Sequence, residues 1–345
     1  MTDFRSGGRR GESRAGSGEG SSSGEQFLTY ADTGVDIAGS ERMLERVKPL
    51  IAASQAQGVV QGVGPFAGLF EMPSEGGLLA ASADGVGTKI KVAIAANRHR
   101  GIGTDLVNHC VNDIATAGAR PLFFLDYFAS GKLDEGVFEQ VVAGLAEACR
   151  ANGCALLGGE TAEMPGVYAL GDYDLAGFIV GLVPAGREVG PVRAGDVIVG
   201  LPSSGLHTNG FSLVRTVFEG VDLESRPPEL GRPLAEELLE PHLSYLAELR
   251  SLRWKAAAHV TGGGLLGNLP RALPDGLDAE LDRSAWEEPP IFGLIAERGH
   301  VQEEEMLATF NMGLGMLLVT DEPPAGYPVV GRVVEGSGGP RVRVH

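Results

Sequence analysis

A chain of 345 residues exceeds what one hydrophobic core usually organises, so two domains are expected, and no uninterrupted apolar run approaches the ~20 residues of a bilayer-spanning helix. A net charge of −17 with no basic stretch of convincing length argues against nucleic acid and acidic membranes as partners and leaves small-molecule chemistry, in which an anionic ligand must be met locally by backbone N–H groups, a few lysines or a metal ion. Three cysteines, Cys110, Cys149 and Cys154, are too few for a disulfide framework and lack metal-finger spacing, so reduced, buried thiols in a cytoplasmic chain are expected.

In chain order, residues 1–26 are dominated by Gly, Ser, Arg and Glu and read as a disordered tail. From Phe27 onward apolar runs alternate with amphipathic stretches, as in α/β and α+β domains, with strands predicted over 78–83, 122–128, 154–158 and 175–183. The spacing predicts a helix over 104–117, with Val107, Cys110, Val111 and Ile114 on one arc, Thr104 or Asp105 as cap and Gly118 as stop. Its opposite arc carries Asp105, Asn108, His109, Asn112 and Thr116, with Asp113 near the edge. A second helix is predicted over 134–152. The Pro-, Gly- and charge-rich stretch 184–194 marks a boundary between an N-terminal domain, 27–186, and a C-terminal domain, 187–345. Beyond it come a strand over 196–201, a helix-like stretch over 234–252, a glycine run at 261–264 and a strand over 316–319.

Several runs carry chemistry. Ser82-Ala-Asp-Gly-Val-Gly-Thr-Lys89 follows a strand: Gly85, Gly87 and Thr88 let backbone N–H groups approach phosphate, Asp84 offers Mg²⁺ an oxygen, and Lys89 can neutralise charge, although the spacing is not that of a Walker loop. Asn112 and Asp113 precede Gly118-Ala-Arg-Pro121 and supply a second carboxylate. Gly158-Gly-Glu-Thr-Ala-Glu-Met-Pro-Gly166 sets Glu160 directly after a strand read as buried, where α/β folds site ligand chemistry. The flexible run 58–68, with Gly62 and Gly64, can fold over a phosphorylated ligand. Ser203-Ser-Gly-Leu-His-Thr-Asn-Gly210 concentrates hydroxyls with His207 and Asn209, suited to anion recognition and proton transfer. Thr261, Gly262 and Gly263 offer consecutive N–H groups to a phosphate. His99, His242, His259, His300 and His345 have no comparable company and read as structural or solvated.

Taken in order, Tyr30-Ala-Asp-Thr-Gly-Val-Asp36, Asp84-Gly-Val-Gly-Thr-Lys89, Pro121-Leu-Phe-Phe-Leu-Asp-Tyr127, Gly131-Lys-Leu133, the Gly158–Gly166 run, His207-Thr-Asn-Gly210 and His259-Val-Thr-Gly-Gly-Gly264 resemble the signatures of the aminoimidazole ribonucleotide synthetase family. The resemblance implies an N-terminal α/β domain whose mixed sheet pairs across a homodimer, with an α+β domain beside it and ATP between them. It also implies ATP- and Mg²⁺-dependent closure of formylglycinamidine ribonucleotide to 5-aminoimidazole ribonucleotide. By matching positions it implies Lys48, Lys89, Gly62 and Gly64 on phosphates and Asp84, Asn112, Asp113 and Glu160 around Mg²⁺. His207 and Asn209 would then meet the substrate, and Thr261, Gly262 and Gly263 its phosphate. Selenophosphate synthetase resemblance would need a reactive residue near the N-terminus, and no Cys precedes Cys110; a hydrogenase maturation factor would end in cysteine, and this chain ends in His345. A thiamine monophosphate kinase reading leaves the Gly158–Gly166 run unexplained. From another class, a catalytically silent nucleotide-binding scaffold of the same fold is the alternative.

Overall fold

The computed structural model describes residues 28–33, 59–61, 65–71, 77–185, 190–338 and 341–345; the 1–26 tail, Lys48, Gly62 and Gly64 lie outside them. Two six-stranded mixed sheets organise the chain. The first contains β1 (Val59–Gln61), β2 (Gly68–Glu71), β3 (Leu78–Gly85), β4 (Arg120–Ser130), β5 (Ala155–Glu163) and β6 (Tyr173–Val183), in the order β1-β2-β3-β6-β4-β5. Its pairs are antiparallel except β4 with β5. Alternation along β6 explains the layering: Tyr173, Leu175, Gly177, Ile179 and Gly181 are buried, while Asp174 and Phe178 are exposed on the other face. Helices α1 (Lys89–Ala96), α2 (Arg100–Thr116) and α3 (Glu135–Ala151) belong to this half, and α2 packs on β3, β4 and β6.

Helix α2 starts four residues before the predicted position, and neither Thr104 nor Asp105 caps it. Gly103 answers to packing: a Cβ there would lie 2.2 Å from the Val141 carbonyl oxygen, and one on Gly144 of α3 would lie 2.0 Å from that of Arg100. The helices touch backbone to backbone, which only glycine permits. Gly118 ends the segment at φ +75°, as expected, and Asp134 caps α3 by accepting from the Val137 N–H at 3.0 Å. The predicted strand over 154–158 is corrected in both extent and burial. β5 runs through the whole glutamate-bearing run and is largely exposed, because it is the edge strand after β4.

The second sheet contains β7 (Val197–Pro202), β8 (Ala256–His259), β9 (Leu277–Leu281), β10 (Leu314–Thr320), β11 (Val329–Glu335) and β12 (Val342–Val344), in the order β12-β9-β11-β7-β10-β8. With it go α4 (Phe211–Val217), α5 (Leu234–Leu238), α6 (Leu246–Ser251), α7 (Gly264–Asn268), α8 (Pro290–Gly299) and α9 (Glu303–Thr309). β10 is buried along its whole length, as a central strand covered on both faces must be. Leu28 and Tyr30 pack against this second core, and the Tyr30 N–H donates to Glu305 at 2.7 Å. The three cysteines are free and buried. No described helix is long and apolar enough to cross a membrane.

The helix-like stretch over 234–252 divides into α5 and α6, because Pro241 cannot continue a helix. The intervening backbone is satisfied from outside by the polar arc of α2. Lys89 donates to the Glu240 carbonyl (2.8 Å), Asp105 accepts from the His242 N–H (2.7 Å), and Asn108 donates to the His242 carbonyl (2.7 Å). Asn112 donates to the Leu243 carbonyl (2.8 Å) and accepts from the Tyr245 N–H (2.8 Å). One helix face of the first half thereby holds an extended segment of the second.

Candidate active site

Two carboxylates, Asp84 on β3 and Asp113 on α2, define the centre of this seam. Register fixes the face of each: Asp84 lies opposite Gly177, and Ser82 opposite Ile179, whose side chain is buried beneath the helices. Asp84 Oδ2 contacts His109 Nε2 at 2.8 Å, and its other oxygen accepts from the Gly85 N–H at 2.8 Å. One turn along α2 from His109, Asp113 meets His259 Nδ1 at 2.8 Å and accepts from Ser82 Oγ at 3.0 Å. The ligating atoms of His109, Asp113 and His259 lie within 4.8 Å of one another, so Asp84, bonded to His109, is close to Asp113. The Asp84 side chain is 36 % exposed and Asp113 8 %, which leaves the first carboxylate open to a ligand.

Four imidazoles surround this pair. Burial alone would depress His109, but the Asp84 carboxylate outweighs it and pushes the ring up to about 9. The reciprocal effect of His109 overcomes burial at Asp84 and lowers its carboxyl. Burial lowers His259, and it lowers His207 and His242 well below the ordinary value, with neighbouring imidazoles adding repulsion. His207 stacks on His242 with centroids 3.9 Å apart, and its own backbone sits in the left-handed region at φ +59°. Its Nε2 accepts from the Ser204 N–H at 3.2 Å, so the neutral ring carries its hydrogen on Nδ1, a buried atom with no partner in the described protein. Asn209 Nδ2 is likewise buried without a partner. Two donors thus wait for a ligand's acceptors.

The glycine turn is built from below by Asn268. Its amide donates to the carbonyls of Thr261 (3.2 Å), Gly262 (3.1 Å) and Gly264 (2.9 Å). Peptide planarity then turns the N–H groups of Gly262 and Gly263 the opposite way. Gly263 (φ +96°) and Gly264 (φ +57°) make the entry into α7, and the Cβ position of Gly262 is 3.6 Å from Asn209 Oδ1. The Asn209 amide and the turn are therefore neighbours. Across the seam, Gly87 turns at φ +63° and Thr88 Oγ1 meets Ser212 Oγ at 3.1 Å.

Other expected residues stand elsewhere. Lys89, expected on phosphate, is fully buried and bonded at 2.8 Å to Asp105, itself fully buried; burial pushes each toward its neutral form. Asn112, expected beside a metal, has both amide atoms committed to Leu243 and Tyr245. Glu160 is exposed, and its register opposite Tyr127, in the row of Ala176 and Gly85, sets it on the sheet face away from Asp84 and Asp113. His109 was placed on the polar arc of its helix without a role, Thr208 and Ser82 stood in motifs without one, and His242 and His259, read as structural or solvated, line the site. A usable signal existed only for His109, four residues before Asp113 on one helix; His242 and His259 arrive from separate elements.

The two halves match separate family models: the AIR synthase related protein N-terminal domain over residues 64–183, and the corresponding C-terminal domain over 193–338. A phosphoribosylformylglycinamidine cyclo-ligase of Myxococcus xanthus (strain DK1622) is 52 % identical over 303 residues, covering 84 % of this chain and 88 % of the relative. The enzyme of that name from Caldanaerobacter subterraneus subsp. tengcongensis is 43 % identical over 333 residues, covering 90 % and 99 %. Among solved structures, AaThiL complexed with AMPPCP and TMP is similar in fold, with a TM-score of 0.61 at 17 % identity over 90 % of this chain and 95 % of its own.

Proposed function

The chain belongs to the AIR synthase related family, with both of its domains, and from that premise we propose that it is an ATP-dependent cyclo-ligase of purine biosynthesis. It closes formylglycinamidine ribonucleotide to 5-aminoimidazole ribonucleotide, releasing ADP and phosphate. The observation that carries this reading is 52 % identity, running through both domains, to a relative named for that activity. The structural relative that holds AMPPCP supports an ATP site in this fold.

In the reaction the formyl amide oxygen attacks the γ-phosphorus of ATP and ADP leaves. The ribose-bearing nitrogen then attacks the formyl carbon, and the C–O bond breaks to release phosphate. Such chemistry needs positioning and charge neutralisation more than a protein nucleophile. Asp84 and Asp113 are hard oxygen donors, each oriented by an imidazole, a set suited to Mg²⁺. When bound there, Mg²⁺ would neutralise phosphate oxygens. We assign the unmatched hydrogen on His207 Nδ1 and the Asn209 amide to substrate acceptors, and the N–H groups of Gly262 and Gly263 to the substrate phosphate. Lys48, Gly62 and Gly64 are assigned to the ATP phosphates, and Lys89 to joining the halves. The chain is further proposed to form a homodimer through the outer face of the first sheet, where Phe178 (47 % exposed) faces Leu125 (36 %).

Purified protein given formylglycinamidine ribonucleotide, ATP and Mg²⁺ should release ADP and the aminoimidazole product in equal amounts. ADP release without ring closure would reject the assignment in favour of a kinase-like activity.

A further inference from the structure

Thr208 and His242 have no role in the chemistry above, yet the contacts around them join into one circuit. Asp84 meets His109 Nε2 (2.8 Å), His109 Nδ1 meets Thr208 Oγ1 (2.9 Å), and Thr208 Oγ1 meets His242 Nδ1 (3.4 Å). His242 Nε2 meets His259 Nε2 (2.9 Å), and His259 Nδ1 meets Asp113 (2.8 Å). His109, Thr208, His242 and His259 are 4 %, 8 %, 1 % and 0 % exposed, so the hydrogens in the circuit are its own.

Each contact needs one hydrogen, and the carboxylates at the two ends only accept. Thr208 Oγ1 stands between two ring nitrogens, His109 Nδ1 and His242 Nδ1. It keeps both contacts by accepting from one neighbouring ring and donating to the other. A hydroxyl does both and a methyl does neither. Without it the circuit falls into halves, each attached to one carboxylate. His242, the middle ring, also carries the stack that holds His207.

We propose that Thr208 and His242 are positioning residues: through His109 and His259 they fix Asp84 and Asp113 relative to each other, and so set the oxygen pair that receives the reacting phosphates. The catalytic consequence rests on the cyclo-ligase reading; the circuit itself does not.

The test compares Thr208→Val, which keeps the shape and removes the hydroxyl, with Thr208→Ser, which keeps the hydroxyl. In the full-length protein, Val should lower kcat by about 10- to 100-fold while the KM values for both substrates change little, and Ser should restore most of the loss. Independently of activity, ¹⁵N spectra of histidine-labelled protein should show His109 Nδ1 and His242 Nδ1 engaged in hydrogen bonds. In the Val variant the His109 and His242 Nδ1 resonances should shift to values free of hydrogen bonding. Unchanged kcat and spectra in the Val variant, or equal impairment by Ser and Val, would overturn the proposal. Should Val not fold, Thr208→Ala against Thr208→Ser makes the same comparison. A wild-type protein without ring closure would instead overturn the functional reading, and the spectra would still decide whether the circuit exists.

Discussion

At the scale of single residues, the site depends on pairs in which a histidine holds a carboxylate. His109 is raised to about 9 against an ordinary value of 6.5, so folding favours its charged form. Its stabilisation is complete below about pH 6.5 and disappears as pH rises through about 9. Denaturant melts of wild type and His109→Gln from pH 6 to 10 should therefore differ most at pH 6, with a pH-dependent part on the order of 3 kcal/mol that fades as pH rises through about 9. A constant difference would show that His109 and Asp84 do not form a stabilising charge pair. Asp84→Asn should lower kcat by at least about 100-fold, measured by turnover, and should abolish the same pH-dependent stabilisation that His109→Gln removes, read by denaturant melts. Asp84, Asp113 and His207 were legible because they sit in short motifs of mixed donors. His242 was not, since its meaning comes from stacking on a residue 35 positions away in the chain. Lys89 misleads for the converse reason: a lysine beside glycines reads as a phosphate ligand until Asp105, a turn into another helix, is seen to meet it.

At the scale of elements, α2 serves two layers at once. Its apolar arc packs on the first sheet, and its polar arc reads the backbone between α5 and α6. The helical period showed both arcs, but an arc of Asp, Asn and His has the same signature whether it meets water or a partner backbone. The α2–α3 contact rests on glycines. Gly144→Ala would drive a methyl to 2.0 Å from the Arg100 carbonyl oxygen and should cost about 1–3 kcal/mol, read as a lowered Tm, with activity falling because α2 carries His109 and Asp113. An unchanged Tm would mean the helices separate freely. The break of the 234–252 stretch at Pro241 was missed, because apolar periodicity on both sides concealed it. The extension of β5 through Glu160 was hidden because glycine pairs usually read as turns.

At the scale of the whole molecule, two mixed sheets enclose one seam, and the active centre draws on both halves: Asp84 and Asp113 from one, His207, His242 and His259 from the other. Alternating strand and helix patterns and the length of the chain made two such domains readable; their docking was not, because it is written in backbone hydrogen bonds that no side-chain pattern announces. The outer face of the first sheet, with Phe178, Leu125 and Leu157 exposed, should be covered by a second copy. Sedimentation should give a dimer at micromolar concentration and a monomer for Phe178→Glu; a wild-type monomer would contradict that arrangement.

On the proposed function, this seam activates a formyl oxygen by phosphorylation and closes a ring on the same carbon. The most direct measurement follows ¹⁸O from the formyl group of formylglycinamidine ribonucleotide during turnover with ATP and Mg²⁺. One labelled oxygen is expected in each phosphate released, in step with aminoimidazole ribonucleotide. Unlabelled phosphate, or phosphate formed without the ring, would contradict it.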